Sequence, residues 1–233
     1  MHILKNDTFN RVLQEYSRLA PVFYSNRKWK EMSENELWQE LCLCILSSNI
    51  PYELALSAFL HLRENGYLKL GWLTNVSNSQ ELMAEELSKP IYLPRRTDGS
   101  YRKYRFPNVR SKNIAKAAKV VSSIEGWISK ILADSRSEEE ARDFLVDHIS
   151  GIGLKEASHF LRNIKYSSQL AIIDSHVVSF LIEIGEVTQR DLKTITPKMY
   201  FKLETKLQEI CNKNELDLSL FDMAIWQCLR REL

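Results

Sequence analysis

The 233-residue chain is short of the residues that punctuate turns, with only 7 glycines and 6 prolines. Together they make up about 6% of it, against roughly 12% in an average protein. A sandwich or barrel of many short strands needs a Gly- or Pro-rich turn every 8–12 residues or so, and this chain cannot supply them. Cysteine is scarce as well. The four cysteines, at 42, 44, 211 and 228, form no CxxC pair and fall at no metal-ligand spacing. Cys42 and Cys44 lie in an apolar run, as buried free thiols of a reducing compartment would. No stretch approaches the 18 or so uninterrupted apolar residues of a membrane span. The opening MHILKND lacks the apolar core of a signal peptide, so the expected location is the cytoplasm. Neither sign of charge dominates: 32 basic and 30 acidic residues leave a net charge of +2. That balance does not announce a nucleic-acid binder, so local clustering has to decide.

What the chain has in quantity is helical periodicity. Residues 7–19 place Phe9, Val12, Leu13, Tyr16 and Leu19 on one face, behind Asp7 or Thr8 as N-cap. Ser33 and Glu36 form a capping box for a helix to about 48. Pro51 opens another, to about 65, closed by Asn65-Gly66. Further helices are expected over 78–88, 109–123, 125–134, 137–148, 154–164, 174–184, 188–193, 197–213 and 217–231. Residues 90–108, with three prolines and a glycine, form the one clear loop region. No strand, repeat or low-complexity tract is evident. The expected fold is all-α.

Charge is clustered after all. From Arg95 to Lys119 there are nine basic residues against one acid, Asp98, with Tyr101, Tyr104 and Phe106 interleaved. Basic side chains among aromatics suit phosphate contact and base stacking; a solvated loop and helix face is the alternative.

The informative stretch is 144–164, FLVDHISGIGLKEASHFLRNI. A helix ends near His148, and Gly151-Ile152-Gly153 turns the chain into a second helix. Two glycines around one aliphatic residue allow a tight turn whose N–H groups point outward beside a helix N-terminus, which makes an anion site suited to phosphate. Ile152 can plug the turn into the core, and small Ala157 lets the two helices approach. A plain αα-hairpin would also accept a Gly-x-Gly turn, but the full pattern is that of a helix-hairpin-helix, which grips the DNA backbone.

Lys155 lies two positions into the second helix, and Asp174 follows the apolar run Leu170-Ala171-Ile172-Ile173 at the start of another. An amine near a helix N-terminus in a partly buried cleft has its protonated form disfavoured, which yields a nucleophile at neutral pH. A carboxylate facing it can take a proton or stabilise positive charge developing at a sugar carbon. Each residue alone reads simply as a first-turn lysine or an N-cap; together beside the hairpin they read as a catalytic pair. Asp174 and His176 are two apart on different sides of a helix, so no metal site is expected there.

HISGIGLKEASHFLRNI followed by LAIIDSHVVSFL resembles the hairpin and catalytic-aspartate loop of the helix-hairpin-helix DNA glycosylase superfamily, that of endonuclease III. LWQELCLCILSSN at 37–49 and YRFPNVRSKNI at 104–114 extend the likeness to the second class of 8-oxoguanine DNA glycosylase/AP lyases of archaea and bacteria. The resemblance implies two helical subdomains around a cleft: a barrel over 31–165, with the helix-hairpin-helix at about 138–164, and a second unit from 1–30 plus 166–233. It implies that Lys155 attacks the deoxyribose anomeric carbon, expels the damaged base, forms a Schiff base and supports β-elimination, with Asp174 as its activator. It places Gly151, Ile152 and Gly153 at the DNA backbone, where Arg105 and Arg110 of the basic stretch are further candidates. Asn49 takes the position of the residue that fills the hole left by the flipped nucleotide. Phe106 and Trp226 match the aromatics that sandwich the extruded base; Met223, apart from the resemblance, reads as core or as a further residue of the base pocket. The implied partner is double-stranded DNA carrying a damaged base, met by a monomer, with no cofactor beyond a monovalent cation that the hairpin could hold.

The chain also departs from that class. It ends WQCLRREL, without the Thr-Gly and terminal lysine that read the base edge, and Ser175 stands where an arginine usually follows the aspartate. No four-cysteine cluster for an iron–sulfur centre is present. The excised base, 8-oxoguanine or another oxidised or alkylated one, stays open, as does a non-catalytic DNA-binding role.

Overall fold

The computed structural model describes residues 7–25, 28–189 and 195–230, and within them the chain forms twelve α-helices and one 3-10 turn. In order these are α1 (Asp7–Ser25), α2 (Glu34–Ser47), α3 (Tyr52–Glu64), α4 (Leu70–Asn75), α5 (Ser79–Ser88), α6 (Pro107–Val121), α7 (Trp127–Asp134), α8 (Glu138–His148), α9 (Leu154–Asn163), α10 (Ser175–Glu183), α11 (Pro197–Lys213) and α12 (Leu218–Leu229). The only β pairing among the described residues is an isolated bridge, Tyr92 to Arg102, inside the expected loop region. The fold is all-α, and the scarcity of turn residues is its sequence correlate.

Capping explains where many helices begin. Ser33 accepts from Glu36 N while Glu36 accepts from Ser33 N, the full capping box expected for α2. Ser137, Asp174, Thr196 and Asp217 cap α8, α10, α11 and α12 through their side-chain oxygens. Two differences from expectation stand out. Helix α1 continues through Pro21 to Ser25, with Phe23 buried beyond the proline. Helix α4 appears where no helix is expected, around Gly71. The helix expected over 188–193 lies largely outside the described residues.

Two compact units emerge: Trp29–Phe160, and a discontinuous one from Met1–Lys28 with Leu161–Leu233. The division falls inside α9, five residues before the boundary at 165 that the resemblance implies. In the Trp29–Phe160 unit, α2 is nearly all core: Leu37, Trp38, Leu41, Cys42, Cys44, Ile45 and Leu46 are buried. It packs against α3, α6 and α7, while α5 packs on α6. Glu34 ties α2 to α7, accepting from Ile128 N at 2.7 Å, and Trp38 Nε1 donates to Leu68 O at 2.7 Å. In the other unit α1 lies against α12, joined through Phe9, Phe180 and Phe221, whose ring centroids are 5.6–6.3 Å apart. Helices α10 and α11 complete that unit against α12.

Candidate active site

The hairpin is built as its sequence suggests. Helix α8 ends at His148, and Ile149 and Ile152 are buried, anchoring the turn to the core. Gly151 has φ +86°, and a Cβ there would lie 2.4 Å from Asn113 Nδ2. Asn113, from α6, also accepts from Ser150 Oγ at 3.1 Å, so the turn is seated on α6 as well as on its own helices. The N–H groups that begin a helix have no intrahelical acceptor. Of those at α9, Gly153 N donates to Glu156 Oε2 at 3.2 Å, so this one is engaged by a side chain rather than standing open as expected. A recess of about 440 Å³ lies beside the turn, lined by Lys116, His148, Ser150 and Gly151 among others.

Among the described residues no group of three His, Cys, Asp or Glu could hold a metal ion. The oxygen atoms at the turn are carbonyls and the Ser150 hydroxyl, a donor type that suits hard cations rather than transition metals. Ile149 O and Gly153 O already accept from Ile152 N and Ala157 N, and each keeps a second lone pair.

Lys155 sits in the first turn of α9, half-buried, and its Nζ has no hydrogen bond or ion pair among the described residues. Ala157 and Phe160 behind it are fully buried and fix the helix face that carries it.

Asp174 belongs to the discontinuous unit. Its Oδ1 accepts from His176 N and Val177 N, both at 2.9 Å, so the carboxylate caps α10 with one oxygen. Oδ2 has no such partner among the described residues. The segment that delivers Asp174 lies outside any helix, is buried and is bonded in an unusual way. Leu170 N donates to Ser167 Oγ at 3.1 Å, Ala171 N to Glu204 Oε1 at 2.9 Å, Ile172 N to Asp222 Oδ2 at 2.9 Å and Ile173 N to the Tyr200 hydroxyl at 3.4 Å. Four consecutive backbone donors are thus met by four side chains, three of them from α11 and α12. Asp222 is 1% exposed and also bonds Arg162 through Oδ1. Burial pushes the Asp222 carboxyl up to about 6; Arg162 and the Ile172 N–H oppose the rise, and Asp174 adds to it.

Asn49 is exposed in the left-handed region, φ 57°, between buried Ser48 and Ile50 at the end of α2. Phe106 is half-buried at the start of α6, with the Arg105 and Arg110 guanidinium carbons 5.0 and 5.7 Å from its ring centroid. Arg105 is exposed. Arg110 is not: it is 8% exposed and its Nη2 donates to Ser48 O at 2.7 Å. On α12, Met223 and Trp226 are half-buried, and Arg230 lies over the Trp226 ring at 4.1 Å. The hairpin, Lys155, Asn49, Arg105, Phe106 and Arg110 therefore belong to the Trp29–Phe160 unit. Asp174, the N-cap of α10, and Met223 and Trp226, on α12, belong to the other.

A family model described as 8-oxoguanine DNA glycosylase matches residues 23–216. The chain belongs to the 8-oxoguanine DNA glycosylase family. Among its relatives, a protein of Sulfurisphaera tokodaii called 8-oxoguanine DNA glycosylase/AP lyase is 35% identical over 200 residues, 85% of each chain. One of Fusobacterium nucleatum with the same name is 26% identical over 95% of each. The solved 8-oxoguanine glycosylase/lyase of Methanocaldococcus jannaschii, in complex with a 15mer DNA containing 8-oxoguanine, superposes with a TM-score of 0.69 at 28% identity, covering 97% of this chain and 90% of that one.

The glycosylase family match takes in Lys155 and Asp174 and stops short of α12, which carries Trp226. Sequence reasoning missed Arg162, Tyr200, Glu204 and Asp222, whose task is to hold the chain before Asp174. Their one visible signal is that polar residues stand on the apolar faces of α9, α11 and α12. It also missed Asn113, which only the approach of α6 brings to the hairpin.

Proposed function

We propose that this chain excises an oxidised purine, 8-oxoguanine in the first place, from double-stranded DNA and then cleaves the strand as an AP lyase. The observation that carries the reading is Lys155, an uncommitted half-buried amine in the first turn of the helix that follows a Gly-x-Gly hairpin. Its Nζ attacks the anomeric carbon while the N-glycosidic bond breaks, and the base leaves with the electron pair and takes up a proton. The C1′–O4′ bond then breaks as the nitrogen gives up a proton to O4′, which opens the sugar ring to a Schiff base; this acidifies the C2′ proton, and its removal expels the 3′ phosphate with the electrons of the C3′–O bond. Asp174, with one oxygen spent on its cap, has the other for the lysine's proton or for positive charge developing at the sugar. The hairpin holds the DNA backbone, Arg105 and its exposed basic neighbours add phosphate contacts, Asn49 fills the vacated stack, and Phe106 in one unit and Trp226 in the other each offer an aromatic face to the extruded base. The names of its relatives support the reading, as does the lesion in the M. jannaschii complex.

Four free cysteines, three of them buried, accord with a cytoplasmic enzyme, and the chemistry asks for no second copy. The test is borohydride trapping on a panel of single-lesion duplexes. Wild type should give a covalent DNA adduct, most with 8-oxoguanine, and Lys155→Gln should give none. An absence of adduct on every lesion would overturn the lyase reading, and a different best lesion would replace the substrate.

A further inference from the structure

Helix α2 ends at Ser47, and the carbonyls of a last turn need partners from outside the helix. Ser47 Oγ donates to Cys44 O and Ile50 N to Ser47 O, both within the turn. The other two partners come from the segment that opens α6. The Tyr104 hydroxyl donates to Leu46 O at 2.5 Å, and Arg110 Nη2 to Ser48 O at 2.7 Å. Tyr104 is 3% exposed and Arg110 8%, and the Arg110 Nε has no acceptor among the described residues. Burial pushes the Tyr104 hydroxyl up, while the adjacent Arg110 guanidinium pulls it the other way, so the two side chains are neighbours as well as parallel struts. A guanidinium kept out of water with its donors incompletely matched is expensive to hold, and solvent-facing arginines suffice for phosphate contact. The next residue beyond these struts is Asn49, exposed and left-handed between two buried neighbours.

We propose that Arg110 and Tyr104 are positioning residues, which hold the end of α2 so that Asn49 is presented at a fixed place and angle to the DNA stack. Arg110 then acts on the carbonyl of Ser48 rather than on a phosphate. Its neighbour Arg105, exposed and also close to the Phe106 ring, is the phosphate-contacting member of the pair. The inference rests on the reading of Asn49 as the residue that fills the vacated stack.

The test compares Arg110→Met, Tyr104→Phe, Asn49→Ala and the double variant Asn49→Ala/Arg110→Met on two DNAs. One is a duplex carrying 8-oxoguanine beside 2-aminopurine, whose fluorescence reports unstacking. The other is a single-stranded abasic oligonucleotide, which has no stack to fill. Arg110→Met should lower the ratio of duplex excision to single-strand cleavage about tenfold, a strong hydrogen bond's share, with a matching loss of the 2-aminopurine signal. Tyr104→Phe removes one oxygen only and should fold normally, with a smaller loss in the same ratio. The double variant should fall no further than Asn49→Ala, because the strut acts through Asn49. The log–log salt slope of duplex affinity should stay at the wild-type value for Arg110→Met, and should fall by about 0.9 for Arg105→Ala. A slope that falls as much for Arg110→Met makes it a phosphate contact and overturns the inference. So do independent, multiplying losses in the double variant, or an unchanged ratio in both single variants. If instead Asn49→Ala leaves the ratio and the fluorescence unchanged, it is the reading of Asn49 that fails.

Discussion

Gly151 is a glycine for two separable reasons. Its φ of +86° is a region where an L side chain costs about 1–2 kcal/mol. A Cβ there would also press on Asn113, 2.4 Å from Nδ2 and 2.8 Å from Cβ, which costs a further 1–3 kcal/mol or so unless α6 gives way. Gly99 separates the two, since at φ +83° it has nothing within 4 Å. Gly151→Ala should therefore lower unfolding free energy clearly more than Gly99→Ala in denaturant titrations. Equal losses would mean that Asn113 yields freely. Asp174 allows a similar separation of cap from charge. Asn caps a helix about as well as Asp, so Asp174→Asn should cost well under 1 kcal/mol of stability. It removes the negative charge, so excision should fall by roughly a hundredfold or more. Single-turnover rates on a lesion duplex check the second figure and thermal melts the first; unchanged rates would restore Asp174 to a purely structural cap.

The element that matters most for Asp174 is not a helix. Residues 170–173 form a non-helical link whose N–H groups are met by Ser167, Glu204, Asp222 and Tyr200 in turn. A helix or sheet satisfies its own donors; this link depends on acids and a phenol from elsewhere, which makes its place in the unit specific. The Asp222 carboxyl titrates near 6 in the folded chain, above its ordinary 3.8. The folded state thus holds a proton that the unfolded state has already released between pH 4 and 6. Asp222 therefore contributes most stability below about pH 4, and that contribution is lost as pH rises through 6. The unfolding free energy of wild type minus that of Asp222→Asn should fall across this window and level off above it; a rise would mean that Arg162 outweighs desolvation.

None of that link is legible as more than an apolar run. The helices on either side are, because capping boxes and 3.6-residue spacing are local. Helix α4 escaped the pattern since six residues containing Gly71 give too short a period to read. The hairpin, Lys155 and the Asp174 cap are likewise written in adjacent residues. The burial of Arg110 is not, for it depends on where the end of α2 meets α6, some 60 positions apart in the chain.

At the scale of the whole chain, one unit is continuous from Trp29 to Phe160 and the other is closed by its two ends. Asp217 N donates to the Tyr16 hydroxyl at 3.1 Å across 201 positions, and Phe9 stacks on Phe180 and packs tilted against Phe221. The unit that holds Asp174 thus cannot form from residues 161–230 without leaving Phe180 and Phe221 short of their partner on α1. Phe9 is 2% exposed, and its loss should cost about 3–5 kcal/mol through cavity formation. Because that core belongs to α1, α10 and α12, the damage should be local in hydrogen exchange. In Phe9→Ala the amides of 170–183 and α12 should lose protection by orders of magnitude, while those of α2 and α3 keep theirs. Excision should weaken with them, since Asp174 is held by that same unit. Equal loss of protection in α2 would instead mean that the two units unfold as one cooperative body, and that the closing helix stabilises the hairpin as much as the aspartate.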